Sequence, residues 1–233
     1  MRLLLLSNSS SDAGFLTHAR NWIADTLGDA KRVLFVPFAG VTFSWDSYTD
    51  RVREGLDGLG LTVTGAHEEG ARVEDADAVL IGGGNSFALL RELYARDLIG
   101  PIRARVEAGA PYVGWSAGAN VAGPTIRTTN DMPIVQTPSL DALGLVPFQI
   151  NPHYTDAHPP GHRGETRAQR LAEFVVLNSG MAVVGMPEGT ALQVGELSVE
   201  RLGPHPVRLF GLDDEPREEP ATDLSFLLVT GAW

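Results

Sequence analysis

Cysteine is absent from this 233-residue chain, and its absence removes disulfides, thiolate zinc centres and a cysteine nucleophile at once. Long apolar runs are missing as well. No stretch approaches the roughly 18 residues that a membrane span requires. The opening run Leu3–Leu6, behind Met1 and Arg2, falls short of the ~7–15 residues of a signal-peptide core. It reads as a first buried strand, and a cytoplasmic protein is expected. Basic residues are outnumbered, since 18 Lys and Arg against 29 Asp and Glu give a formal charge of −11. Nucleic acid and anionic membranes both reward basic surface, so neither is an expected partner and a small soluble ligand is. Nothing in the chain asks for a cofactor or a metal.

What is present is a hydrophobic fraction of 43%, enough to bury a sizeable core, and residues 1–233 are read as one α/β domain. Apolar runs at 3–6, 33–36, 61–64, 78–81, 112–113, 145–150 and 182–186 read as strands. Helical patterns at 15–27, 45–59, 87–94, 102–107 and 165–177 fall between several of them. Such alternation predicts a mostly parallel sheet with helices on both faces, whose ligands sit beyond the carboxyl ends of the strands. Runs at 191–194, 196–202, 207–210 and 224–229, parted by Gly, Pro and acidic turns, suggest a small C-terminal antiparallel extension. The acidic, Pro-containing stretch 213–219 reads as a solvated loop.

The chemistry concentrates at Gly114-Trp115-Ser116-Ala117-Gly118. A G-x-S-x-G string after a strand and before a helix is the pattern of a nucleophile elbow: the glycines permit a sharp turn, and the helix start offers N–H donors to an oxyanion. A second turn, Gly82-Gly83-Gly84-Asn85, follows the run at 78–81. It lacks the Lys-Ser/Thr of a P-loop and the spacing of a dinucleotide fingerprint. Backbone N–H groups of Gly84 and Ala117 are therefore the expected oxyanion hole.

A serine needs a base, and there are six histidines: His18, His67, His153, His158, His162 and His205. His153 follows the run at 145–150 at a carboxyl strand end and is the expected base, with His158 and His162 as competitors. The acid that orients it is read as Asp131, ahead of Asp156, Glu165 and Glu188, because Asp131 sits in the loop before the histidine strand.

Several long strings occur in order: L-L-L-L-S-N-S, V-P-F-A-G-V-T-x-x-W-D-x-Y-T-D, N-S-F-A-L-L, G-W-S-A-G-A-N, P-T-I-R-T-T-N-D-M-P-I-V, Q-I-N-P-H-Y, G-E-T-R-A-Q-R and M-P-E-G. Together they resemble the peptidase E family of bacterial α-aspartyl dipeptidases, serine peptidases related to cyanophycinase. The likeness runs to about Glu188 and fades after about Val194. It implies a flavodoxin-like sandwich of the class I glutamine amidotransferase type, and cleavage of Asp-Xaa dipeptides through a seryl acyl-enzyme. By motif, the family's nucleophile, acid and histidine fall on Ser116, Asp131 and His153. The family's cysteine after the elbow is Gly123 here, a position to which no catalytic role attaches.

An aspartyl side chain calls for a cation, and the arginine fork matches a carboxylate. Arg167, flanking the apolar stripe of the helix after His153, is the expected residue, with Arg163 and Arg170 behind it. Asn85 and Glu188 are further candidate substrate contacts, Glu188 for the free α-ammonium group. The expected partners are small peptides, and a homo-oligomer is compatible with the sequence. An isoaspartyl or cyanophycin-type peptidase and a catalytically silent binding protein of the same fold are the competing readings.

Overall fold

A computed structural model of the chain describes residues 1–157, 160–161, 163–212 and 215–229, so His158 and His162 lie outside the described residues. The chain begins with β1 (Leu3–Leu6), a small hairpin of β2 (Ser10–Ser11) and β3 (Gly14–Phe15), and α1 (Arg20–Leu27). β4 (Arg32–Val36), α2 (Trp45–Gly55), β5 (Thr62–Gly65), β6 (Ala78–Ile81), α3 (Ser86–Ala95) and α4 (Ile99–Glu107) follow. Then come β7 (Tyr112–Trp115), α5 (Ala117–Asn120), β8 (Gln149–Pro152), α6 (Arg167–Leu177) and β9 (Val183–Met186). β10 (Ala191–Val194), β11 (Val199–Leu202), β12 (Val207–Phe210) and β13 (Arg217–Glu219) complete the strands.

The main sheet has seven strands in the order β11-β10-β1-β7-β6-β4-β5. Its β1, β7, β6, β4 and β5 run parallel, while β10 and β11 are antiparallel additions at one side. A parallel sheet must be covered on both faces, and the four leucines of β1 show how. Leu4 and Leu6 join Ile23 and Leu27 of α1 and Val52 of α2 on one face. Leu3 and Leu5 join Leu89 and Leu93 of α3, Ile102 of α4, and Ile150 of β8 on the other. All four are fully buried, and each stabilises the fold by about 1.5–3 kcal/mol relative to exposure.

The second sheet, β13-β12-β9-β8, thus lies beyond α3–α5, and α6 covers its outer side through Leu171 against Val183 and Phe210. β8 and β9 are parallel neighbours, with Pro152 opposite Met186. Proline is tolerated there because β8 is an edge strand, where a missing N–H costs no ladder bond. The expected C-terminal antiparallel strands are divided between the sheets: β10 and β11 widen the first, and β12 and β13 the second.

Several expected boundaries move. The helix expected at 15–27 starts only at Arg20, because Leu16 takes a left-handed φ of 56° and a 3-10 turn, Thr17–Ala19, intervenes. The helix expected at 45–59 ends at Gly55, and the strand expected at 196–202 begins at Val199. Of the run at 145–150, only Gln149 and Ile150 lie in a strand; Leu145, Val146 and Phe148 are apolar because they fill the core from irregular backbone. The run at 224–229 forms a 3-10 turn, Ser225–Leu228, and Arg217–Glu219, expected in a loop, pairs with β12. Among the described residues no helix is long and apolar enough to cross a membrane.

Candidate active site

Strand β7 delivers Ser116 at its carboxyl end, where the residue takes φ 52° and ψ −115° as the N-cap of α5. A non-glycine residue at positive φ is strained, and the close packing around it holds that conformation. A Cβ on Gly118 would collide with the Ile81 carbonyl, so only glycine lets α5 sit against β6. A Cβ on Gly83 would lie 2.9 Å from the Ser116 Cβ, so the second glycine turn passes directly beside Ser116.

That turn is fixed at both ends and open in the middle. Gly82 N–H donates to the Val36 carbonyl (3.0 Å) and Asn85 N–H to the Ala39 carbonyl (2.9 Å). The amides of Gly83 and Gly84 have no acceptor among the described residues. Tyr48 fixes the intervening peptide: its hydroxyl donates to the Gly83 carbonyl (3.1 Å) and accepts from Trp115 Nε1–H (2.9 Å). Burial pushes the Tyr48 phenol up to about 12, so it stays a neutral donor. In a trans peptide, N–H points opposite to C=O, so Gly84 N–H is turned away from Tyr48. Ala117 N–H is an orphan donor of the first turn of α5.

His153 follows β8 directly and also has a left-handed backbone, φ 53°. The Ser116 hydroxyl and His153 Nε2 lie 2.9 Å apart, so the hydroxyl can donate its proton to the ring. On the other side, His153 Nδ1 lies 2.7 Å from Glu188 Oε1, and Nδ1–H donates to the carboxylate in the tautomer that leaves Nε2 free to accept. The pair is partly open to solvent, with side-chain exposures of 39% and 65%.

The carboxylate on the histidine is thus Glu188, and the expectation for Asp131 is corrected. The β8–β9 register, Pro152 opposite Met186, sets the two strand ends side by side and brings Glu188, just past β9, level with His153. Asp131 faces elsewhere: its Oδ2 accepts from Ser86 N–H (2.7 Å), at the start of α3, and from the Thr129 hydroxyl (3.0 Å). A carboxylate at a helix N-terminus is favoured by the helix dipole. The residues before it are tied to β8, through Thr128 Oγ1–H to the Ile150 carbonyl (2.9 Å) and Asn130 Nδ2–H to the Pro152 carbonyl (2.8 Å). The expectations for Glu188 and Asn85 as substrate contacts shift as well. Asn85 caps α3 by accepting from Ala88 N–H (3.0 Å) and donates to the Met132 carbonyl (2.9 Å).

A cleft of about 410 Å³ is lined by Asp131, Arg127, Arg167 and Arg170; Ser116, His153 and Glu188 do not line it, and it meets them through Arg167, which bonds to the His153 carbonyl. Arg127 is held by the Asn178 side chain at 2.9 Å, and Arg170 faces Glu165 at 3.8 Å. Arg167 donates from Nη1 to the His153 carbonyl, a neutral group, and has no carboxylate partner among the described residues. Burial pushes its guanidinium below the ordinary value. Arg163 is exposed, as is Arg170. Asp156 accepts from the Tyr154 hydroxyl at 2.5 Å.

A serine on a strained strand-to-helix turn, an imidazole on its hydroxyl, a carboxylate on the imidazole and two free amides beside it define a serine hydrolase. More narrowly, the model described as Peptidase family S51 matches residues 3–202, and the chain belongs to that family of serine peptidases. A curated relative named Peptidase E from Shewanella amazonensis is 53% identical over 196 residues, covering 82% of this chain and 83% of its own. Another Peptidase E, from Salmonella newport, is 49% identical over 219 residues, covering 92% and 96%. Two solved structures share the fold. A putative peptidase E protein from Listeria monocytogenes EGD-e matches with TM-score 0.63 at 23% identity, covering 87% of this chain and 98% of that one. A peptidase from an acI-B1 Actinobacterium matches with TM-score 0.69 at 18% identity, covering 94% of each.

Proposed function

We propose that this serine peptidase hydrolyses dipeptides with an amino-terminal aspartate, using Ser116, His153 and Glu188 as its catalytic group. The observation that carries the specificity is the pair of charges on the cleft. Arg167 has a half-buried guanidinium with no carboxylate partner, and Asp131 a carboxylate bonded only to neutral donors among the described residues. An amino-terminal aspartyl residue carries a side-chain carboxylate for the first and an α-ammonium group for the second. The two carboxylates thereby exchange the roles expected of them from sequence.

In the first step Ser116 Oγ bonds to the scissile carbonyl carbon while its proton passes to His153 Nε2, and Glu188 stabilises the imidazolium through Nδ1–H. The carbonyl oxygen takes the negative charge, and the amides of Gly84 and Ala117 are the donors placed to receive it. Collapse breaks the C–N bond as the imidazolium returns the proton to the leaving amine. A water then repeats the sequence on the acyl-enzyme and releases free aspartate. The expected substrates are small peptides, and the expected setting is the cytoplasm.

Free aspartate release from a dipeptide panel tests this reading. α-Aspartyl dipeptides are expected to turn over at least ~30-fold faster than asparaginyl or alanyl ones, the lower end of the ~2–5 kcal/mol lost when a charge is left unpaired. Arg167→Ala is expected to remove most of that difference. Faster cleavage of β-linked aspartyl dipeptides would move the assignment to an isoaspartyl peptidase, and binding without turnover of any of them would make the chain a binding protein.

A further inference from the structure

The stretch Ser7-Asn8 lies outside the catalytic group, yet it bonds the backbone of His153 and of the residues on either side of Glu188. Ser7 is fully buried at the carboxyl end of β1. Its hydroxyl accepts from His153 N–H (2.9 Å) and donates to the Met186 carbonyl (2.8 Å). Its own N–H donates to the Thr190 carbonyl (2.9 Å). Asn8 Oδ1 accepts from Gly189 N–H (2.8 Å), next to Glu188, and Asn8 Nδ2–H donates to the Ser10 carbonyl (2.7 Å). One residue earlier, the Leu6 carbonyl accepts from Ser116 N–H (3.0 Å).

These contacts join the ends of the two sheets at the catalytic group. Ser116 rides on the seven-stranded sheet, whereas His153 and Glu188 follow β8 and β9 of the four-stranded one. β10, which begins three residues past Glu188, pairs with β1 beside β7 and so ties the Glu188 turn to the Ser116 strand. By contrast, β8, which leads to His153, pairs with β9 and meets the Ser116 side through Asn120 Nδ2–H to the Ile150 carbonyl (2.7 Å). The Ser7 hydroxyl, bonded to His153 N–H and to the Met186 carbonyl, ties the histidine and the end of β9 directly to the end of β1. It also supports a strained residue: His153 holds φ 53° with its N–H on Ser7 and its carbonyl on Arg167. Without the acceptor the His153 N–H loses its partner, and the backbone is free to relax towards negative φ, which swings the imidazole away from Ser116.

We propose that Ser7 is a positioning residue of the active site, whose buried hydroxyl sets the His153 ring and the Glu188 turn against Ser116, with Asn8 holding the same turn from its other side. The proposal rests on the seryl mechanism above, and its test separates the two. The test measures the rate at which an alkyl fluorophosphonate labels Ser116 in the full chain, with Ser116→Ala as the blank, together with kcat and KM on an α-aspartyl dipeptide. Ser7→Ala is expected to slow labelling and kcat by about ten- to one-hundred-fold, the scale of a misplacement near 1 Å, with KM within about threefold. Ser7→Thr, which keeps the hydroxyl, is expected to recover most of the rate. Thr26→Val removes another fully buried hydroxyl, remote from the site and bonded to the Trp22 carbonyl, and should lower Tm without slowing labelling. Where Ser7→Ala is too unstable to assay, Asn8→Ala is expected to slow labelling in the same direction. Labelling of Ser7→Ala at the wild-type rate overturns the proposal, as does a loss confined to KM or a fully folded Ser7→Thr as slow as Ser7→Ala. A wild-type chain that neither labels nor cleaves refutes the seryl mechanism itself, and the positioning role falls with it.

Discussion

Replacing Glu188 and Asp131 separately by their amides asks which carboxylate serves the histidine. Glu188→Gln keeps the shape and can still accept from His153 Nδ1–H through its amide oxygen. It loses the charge that stabilises the imidazolium, and in the flipped amide orientation it presents N–H to Nδ1 and favours the wrong tautomer. A buried triad carboxylate is worth about 10⁴ in kcat. Here the partners are 39% and 65% exposed, so water screens the pair, and exposed ion pairs contribute only ~0.2–1 kcal/mol. At about 1.4 kcal/mol per tenfold in rate, lost charge accounts for roughly fivefold at most. Adding the tautomer penalty, we expect a loss of about 10–100-fold.

Asp131→Asn keeps an acceptor for Ser86 N–H and Thr129, so the fold around it should be unchanged. Its loss is expected in KM, near 30-fold, by the lower-end argument for an unpaired ammonium group. Fluorophosphonate labelling distinguishes the two, because the reagent carries no ammonium group: Glu188→Gln should label slowly and Asp131→Asn at the wild-type rate. The reverse pattern would mean that the aspartate supports His153 during turnover, and the 2.7 Å contact to Glu188 would not be the working arrangement.

The pairing of Ser116 with His153 (2.9 Å) was legible in the sequence because each depends on local chemistry: glycines bracketing Ser116, and a strand end before His153. The parallel sheet was legible for a similar reason, since runs such as Leu3–Leu6 are buried on both faces and leave no alternation of polar residues. The acid was not legible locally. Glu188 reaches His153 through the pairing of β8 with β9, strands separated in sequence by α6, and neither run announces its neighbour. Asp131 drew attention because it precedes the histidine, but order along a chain does not fix distance across a sheet. The short hairpin β2–β3 was missed because its four residues have no apolar pattern, and the strand at Arg217–Glu219 because three charged residues pair at an edge by backbone alone.

Tyr48→Phe removes the acceptor of Trp115 Nε1–H and the donor to the Gly83 carbonyl; urea unfolding should show a loss of about 1–3 kcal/mol. The kcat of that variant should fall as the Gly83–Gly84 peptide loosens, and an unchanged kcat would mean that the peptide is held without Tyr48. A further prediction concerns acid stability and rests on Asp77, which joins the starts of β4 and β6. The Arg32 guanidinium (2.7 Å), helped by the N–H groups of Arg32 (2.8 Å) and Lys31 (3.1 Å), holds its carboxyl well below the usual range. A carboxyl with a depressed folded-state pKa contributes stability that is fully present above its unfolded value of about 3.9 and is lost as pH falls through the folded value. Wild-type stability from this source should therefore be flat between pH 5 and 7 and decline below about pH 4. Asp77→Asn should lower stability at pH 7 and make the decline below pH 4 shallower, read as the urea midpoint against pH. Equal slopes for the two proteins would show that the contact carries no net stabilisation, and the join between β4 and β6 would then rest on the Val33–Ala78 pairing and its neighbours in the ladder.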